Sequence, residues 1–424
     1  MAVDTPARIA IVGSGPMGLE AALYARFLGY DVDIYERGDV AENVLRWGHV
    51  KLFTPWRQNV SPLAVAALTA QDTDWQPPDD EAILTGREFA SRYLLPLARC
   101  DLLIDGLHTR TEVVALGREG QLKGDHLGAE ARIEADFRLL LRDAAGAESI
   151  VNADVVIDAG GTFGNHNWVG ASGIPAPGEI AAADAIEYGL PDVIGRDRDR
   201  YTAKTTLLVG DGYSAATSVV ALAELARQQP GTQTIWITRR HREGTGPVSV
   251  LENDRLAERD RLARAANALA GGASAGVEYR PGTAIEAIHR DAATNRLSVR
   301  LSGMRAGTVD VDRIIANVGY RPDTRLYSEL QVHQCYASDG PMKLAAALLG
   351  QTSADCLDQT SLGPSTLVNP EPDFYILGSK SYGRDSRFLL SVGLAQIRDL
   401  FSIIGDRPDL DLYRALTAVR PARR

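Results

Sequence analysis

The stretch "TTLLVGDGYSAATSVVALAEL" (205–225) runs from a short apolar strand into Gly210-Asp211-Gly212-Tyr213-Ser214-Ala215 and then into a helical pattern. A strand that turns through small residues directly into a helix leaves amide N–H groups pointing out of the helix start, where a dinucleotide pyrophosphate binds. The chain has already made the same arrangement once. "RIAIVGSGPMGLEAALYARFLG" (8–29) carries Gly13-Ser14-Gly15-Pro16-Met17-Gly18. Gly13 permits the tight turn, Gly15 lets a pyrophosphate approach the backbone, and Gly18 lets helix and strand pack closely. In the later loop, Gly210 and Gly212 repeat the first two positions and Ala215 stands at the third.

The residues that follow each loop separate their ligands. After the first, "DVDIYE" ends in Glu36, near the spacing of about 20 residues at which an acid binds a ribose hydroxyl. With Ser14, Pro16 and Arg37 this predicts an FAD site, because the unit opens the chain and ends in "YERGD". After the second, "TQTIWITRR" ends in Arg239 and Arg240. Arginine there accommodates a 2′-phosphate, which favours NADPH over NADH. The alternative for these arginines is a solvated strand end. Two loops therefore predict two cofactors: one nucleotide held, one visiting to deliver hydride.

Bulk properties are those expected of a soluble globular protein. The 424 residues suffice for two or three domains. Apolar residues make up 45% and charged residues 24%, as in globular proteins. A net charge of −10 argues against a nucleic-acid surface, and the basic end Arg420, Arg423, Arg424 reads as a solvated tail. No run of about 18 or more apolar residues appears, so no membrane span is expected. The start, "MAVDTPARIAIVG", is not a signal peptide. Cys100, Cys335 and Cys356 are too few for a disulfide framework and form no Cys-x-x-Cys. A cytoplasmic protein acting on a small molecule, as a monomer or homodimer, is the expectation. The seven histidines show no metal-ligand spacing, and no Gly-x-Ser-x-Gly elbow occurs.

"ADVVIDAGGTFGN" (153–165) and "VDRIIANVGYRPD" (311–323) share a pattern: an apolar strand running into small residues, each after a β-rich stretch. They bracket the second loop. The predicted fold is α/β, with two Rossmann-like, three-layer ββα dinucleotide-binding domains and the NADPH domain inserted into the FAD domain. The expected boundaries are 1–165 and 318–424 for the FAD domain and 166–317 for the NAD(P)H domain. "LENDRLAERDRLARAANALAGGASA" (251–275) is expected as a helix and "GRDRDRY" (195–201) as a linker.

Over nearly its whole length the chain resembles the superfamily of two-dinucleotide-binding flavoproteins, which includes thioredoxin reductases and class B flavin monooxygenases. "VVIDAGG", which contains Gly160, and "IIANVGYRPD" are similar to its two Ala-Thr-Gly-type segments, with Thr replaced in both. "EPDFYILGSKSYGR" (371–384) falls where that superfamily closes its flavin site. It is similar to a group of bacterial pyridine nucleotide-disulfide oxidoreductase-like flavoproteins that carry "KSYGR". This resemblance implies that Gly378, Ser381 and Tyr382 line the flavin, with Lys380 as a catalytic candidate that, with Ser381, would tune the flavin potential or help protonate a peroxide; the alternative is that Lys380 and Arg384 simply pair with nearby carboxylates. It also implies that the helix of "FLLSVGLAQIRDLFSIIG" points its N-terminal amides at the flavin pyrimidine.

Two acceptors for the electrons stay open. "RWGHVKLFTPWRQNVSPLAVAAL" (46–68) is similar to the class B monooxygenase segment that ends in an Asn beside the flavin. On that pattern Asn59 would hold a C4a-peroxide, O2 would be the co-substrate, and an amine or thioether would be oxygenated. Trp47, Phe53 and Trp56 would wall the ring, or simply pack the core. "GREFASRYLLPLA" (86–98) resembles the helix that follows in that family. The class B fingerprint F-x-G-x-x-x-H plus an aromatic is compressed here to "TFGNHNWVG". His166 is a candidate facing nicotinamide or substrate, or else a hydrogen-bonded histidine where two domains join. His49 is a further polar candidate. The other acceptor is a small organic or thiol/disulfide compound, for which Cys335 and Cys356 would have to meet in space. Cys100, in "LARCDLLID", reads as core.

Overall fold

The computed structural model describes residues 2–419, except 243, 273–275, 352 and 354. The chain divides into one unit made of Met1–Asn165 and Arg321–Arg424 and another made of His166–Tyr320.

The first unit begins with β1 (Arg8–Val12), the helix Pro16–Leu28 and β2 (Asp31–Tyr35). It continues with β3 (Leu107–His108), β4 (Glu112–Arg118), β5 (Phe137–Arg142), β6 (Glu148–Ala153) and β7 (Val155–Asp158). The second unit holds β8 (Ile186–Glu187), β9 (Thr205–Val209), the helix Tyr213–Gln228, β10 (Gln233–Ile237) and β11 (Val277–Arg280). It ends with β12 (Thr283–Arg290), β13 (Leu297–Gly303), β14 (Gly307–Val311) and β15 (Arg313–Ala316). β16 (Phe374–Ile376) returns to the first unit.

Each unit has one five-stranded sheet, in the orders β16-β7-β1-β2-β3 and β8-β15-β9-β10-β11, and one three-stranded antiparallel sheet, β4-β5-β6 or β12-β13-β14. Every pairing in the five-stranded sheets is parallel. Both antiparallel sheets carry a register shift at the corresponding place, between Val113 and Ala115 and between Ile285 and Ala287. The repeat announced by two glycine loops thus extends to the whole β layout. Parallel strands covered on both faces read as unbroken apolar runs. That is why "RIAIV" and "TTLLV" lie at the sheet centres, with Ile9, Ile11, Leu207 and Leu208 in the cores.

Three expectations are adjusted. The stretch 195–201, expected as a linker, is built into the second unit: Tyr201 is fully buried in a core, and Asp197 accepts the Asp192 N–H at 2.9 Å. The helix expected over 251–275 spans Ala257–Ala270, and 273–275 lie outside the described residues. It starts late because Asp254 is committed to an ion pair with Arg259 at 2.6 Å and to the Leu256 N–H. Within 86–98 the helix widens to a π-turn over Ala90–Leu94, just before Pro96, whose missing N–H cannot close a regular turn. The basic tail 420–424 also lies outside the described residues.

Candidate functional site

The first loop is a tight crossing between β1 and its helix. Gly13 has φ +97°, and a Cβ there would sit 3.0 Å from Ala159 O and Gly160 Cα. A Cβ at Gly18 would fall 1.9 Å from Gly13 O, so only glycine fits either position. Gly15 is different: nothing lies within 4 Å of where its Cβ would be. Gly15 is also the N-cap of Pro16–Leu28 and supplies no side-chain cap. First-turn amides without a capping side chain, behind a glycine open on its outer side, fit a pyrophosphate.

Glu36, just past β2, is tied to the same loop. Its carboxylate accepts the Ser14 N–H at 2.8 Å, the Ser14 hydroxyl at 3.0 Å and the Gly38 N–H at 2.9 Å. Arg37 beside it is exposed and reaches across the chain near Gly164, where a Cβ would lie 2.9 Å from its guanidinium.

The end of β7 joins this loop to the closing segment. Asp158 is fully buried. One of its oxygens accepts the Gly160 N–H at 3.0 Å; the other pairs with Lys380 Nζ at 2.5 Å. The ammonium also lies 5.2 Å from the centre of the Tyr327 ring, and burial raises the pKa of that phenol. Gln396, on the helix Leu390–Ile404, accepts the Gly378 N–H at 3.1 Å and donates to Ser381 Oγ at 3.0 Å. Ser381 Oγ in turn donates to Gly378 O. Met17, one residue inside the first helix, lies against the closing segment: Cβ atoms at Gly378 and Gly393 would meet it at 3.1 and 2.0 Å. Gly13, Ser14, Gly15, Gly160, Gly378, Lys380 and Ser381 therefore share one end of the first sheet.

Other expected residues stand in different settings. Asn59 is buried, and its amide closes its own turn: Nδ2 donates to Thr54 O and Pro55 O, and Oδ1 accepts from Thr54 Oγ1. Both amide protons are committed there. Trp56 is core, edge-on to Tyr93. Trp47 packs over Gly86, and its buried indole N–H has no hydrogen-bond partner among the described residues. Arg384 pairs with Asp339 at 2.6 Å. His166 belongs to the second unit. It stacks on Tyr188 at 3.5 Å, stands edge-on to Trp168 at 4.9 Å, and its Nδ1 lies 2.9 Å from Asn167 O. Cys100 is core, and Cys335 and Cys356 form no disulfide.

The second loop repeats the first with looser fittings. Gly210 has φ +137°, and a Cβ there would lie 2.3 Å from Asn317 O. Gly212 is open on its outer side and caps Tyr213–Gln228 without a side chain. Ala215 is fully buried, while Gly212 and Ser214 are exposed. The Trp236 indole donates to Gly210 O at 2.8 Å, and the Tyr213 hydroxyl donates to Ser249 O at 3.3 Å. Arg239 and Arg240 are exposed, and neither guanidinium is paired among the described residues.

The sequence reading missed Asp158, Gln396 and Trp236. A charge ending the apolar run "VVID" was the visible signal for the first. The other two act through contacts distant in sequence.

No protein family profile and no curated protein matches the chain. Solved structures do. A bacillithiol disulfide reductase from Bacillus cereus matches with a TM-score of 0.65 at 15% identity, over 95% of this chain and 99% of its own. The cadaverine monooxygenase of desferrioxamine biosynthesis from Erwinia amylovora, solved with FAD, matches at 0.64 and 14%, over 95% of each chain. The ornithine N-hydroxylase of Kutzneria sp. 744, solved with FAD, NADP+ and ornithine, matches at 0.62 and 16%, over 95% of this chain and all of its own. The fold is that of the two-dinucleotide-binding flavoproteins.

Proposed function

We propose that this chain is an FAD-containing, NADPH-dependent oxidoreductase, and that it is a monooxygenase acting on a small soft nucleophile, an amine or a thioether. The observation that carries the cofactor pair is the duplicated cradle: two helix starts without side-chain caps, behind glycines open on their outer sides, one followed by an acid and the other by free arginines. When bound, the flavin supplies the redox chemistry, taking two electrons from the nicotinamide and passing them to oxygen. NADPH, a proton, O2 and substrate then give NADP+, water and oxygenated substrate.

The protein's own share is binding and orientation. The first-turn amides after Gly15 hold the FAD pyrophosphate and Glu36 holds its ribose, with Arg37 and Trp47 at the rim. Gly378 and Ser381 close the site, and Asp158 holds the Lys380 ammonium in place inside it; the Tyr382 ring turns instead to Leu344, Leu348 and Val392. Asn59 shapes the turn that carries Trp56. The amides after Gly212, with Tyr213, Ser214 and Ala215, hold the NADPH pyrophosphate; Arg239 and Arg240 take its 2′-phosphate. His166 with Tyr188 offers a flat aromatic face for the nicotinamide or substrate.

Two of the similar structures, the cadaverine monooxygenase and the ornithine N-hydroxylase, support oxygenation of nitrogen. The first loop and the closing segment also contain no cysteine. Reductase activity toward a thiol or disulfide is the second reading. It is favoured by Cys335, whose thiol is lowered by the amides of Ala337 and Ser338.

The deciding experiment mixes NADPH-reduced protein rapidly with oxygenated buffer and follows the flavin spectrum. A long-lived species unlike reduced or oxidised flavin supports the monooxygenase. Slow, direct reoxidation, with turnover lost on alkylating Cys335 and Cys356, supports the reductase.

A further inference from the structure

In the first unit, the helix Met342–Leu349, Ser338, Gln351 and residues 382–387 line a half-open cavity of about 200 Å3. By the volume that liquid water occupies, it has room for roughly six or seven waters, or an organic molecule of about that many heavy atoms. Ala345, Leu348 and Leu349 make one wall apolar. The opposite side is polar in a specific way.

Tyr382 is 1% exposed, yet its hydroxyl makes no hydrogen bond to the described residues. Gln351 Oε1, at the same cavity, is buried without a partner among the described residues. A buried polar atom left unpaired costs about 1–3 kcal/mol, so Gln351 Oε1, at the same pocket as a tyrosine hydroxyl that makes no hydrogen bond to the described residues, marks the pocket as more than a packing gap. The cavity's charges cancel. The Arg387 guanidinium donates to the Asp385 carboxylate at 2.6 Å and to Ser353 O at 2.8 Å. Neither ion is left waiting for a charged ligand.

We propose that this cavity is a binding site for a small, neutral, aliphatic primary amide. The Tyr382 hydroxyl donates to the ligand carbonyl, Gln351 Oε1 accepts from its N–H, and the alkyl group lies on Ala345 and Leu348. A carboxylic acid of the same shape lacks the N–H and carries a charge that Gln351 Oε1 repels. The site communicates with the first glycine loop through packing. Tyr382 stands edge-on to Phe388 at 5.3 Å, and the Phe388 ring abuts Gly393, where Met17 also packs. Binding here requires neither hydride transfer nor oxygen, so it stands or falls separately from the proposed reaction.

The test uses the full chain as purified, with isobutyramide as probe and isobutyric acid as control, read by calorimetry and ligand-observed NMR. Saturable binding with a Kd on the order of 1 mM is expected, with the acid at least tenfold weaker. Ala345→Trp, which fills the cavity, is expected to abolish binding. Tyr382→Phe and Gln351→Leu are each expected to weaken it at least tenfold. Thermal melts show which variants fold. A crystal of the unaltered protein soaked in isobutyramide tests the same site without mutation, with density expected between Tyr382 and Gln351. No saturable binding, binding unchanged in folded Ala345→Trp, or density only elsewhere overturns the proposal.

Discussion

The two glycine loops share one plan and differ in how firmly it is held. In both, the loop glycine with positive φ passes close to the carbonyl that follows the neighbouring strand, Ala159 O or Asn317 O. The first loop is then locked further. Gly18 admits no Cβ, Glu36 takes three hydrogen bonds from the loop and the next turn, and Asp158 ties the adjacent strand end to Lys380 in the closing segment. The second tolerates Ala215, leaves Gly212 and Ser214 exposed, and keeps two arginines unpaired. Equal motifs therefore do not imply equal roles. The surroundings hold the first loop more firmly and leave the second more exposed.

The firmest part of that contrast is the Asp158–Lys380 pair. Asp158→Ala would leave the ammonium buried and unpaired, with a loss of about 3–5 kcal/mol. Denaturant unfolding should show that loss, and the purified protein should be colourless. A yellow, fully stable variant would break the comparison at its strongest point.

The next effect concerns Glu20, on the first helix. Its counterpart one turn into the second helix is Thr217, which simply donates to Tyr213 O at 3.0 Å. Burial pushes the Glu20 carboxyl up to about 7, against the hydroxyls of Ser61, Tyr413 and Tyr93. A folded value above the unfolded value means that the native state binds the extra proton. Stability is then greatest below the ordinary carboxylate range and falls as pH rises toward 7, levelling off above it. Glu20→Gln should remove that slope and be more stable than the parent at pH 8 by up to about 3 kcal/mol. Melting temperatures across pH 5–8 for both proteins decide it.

Smaller effects belong to the second loop. Arg239→Ala with Arg240→Ala should weaken NADPH about tenfold, or about 1.4 kcal/mol, and leave NADH and flavin content unchanged; half-saturation for flavin bleaching measures this. Equal losses for both nucleotides would assign the arginines to something other than a 2′-phosphate. Trp236→Phe removes the hydrogen bond to Gly210 O and should cost about 1 kcal/mol. It should act through NADPH affinity and stability, not through flavin retention.

Much was legible in the sequence because it is local. The βαβ unit is written in one stretch of apolar residues, glycines and a terminal acid or arginine, and steric rules leave glycine little choice at positions such as 13 and 210. The two later strands, 155–158 and 313–316, were visible as apolar runs ending in small residues. The interior of the sites was not legible in this way. Lys380 and Asp158 are far apart in the chain, and only the parallel pairing of β16 with β7 brings their segments together. Asn59 shows the converse. Its type and place suggested a ligand donor, whereas the fold closes its amide onto Thr54 and Pro55.

The sequence by itself determined that two strand–glycine loop–helix units exist, where each helix begins and which sign of charge follows each, since these depend on neighbours within a turn or two. The tertiary structure alone decided which buried polar groups are satisfied, as with Asn59, and which find no partner among the described residues, as with Gln351 Oε1. Burial and hydrogen-bond partners are set by segments that meet only after the sheets have formed.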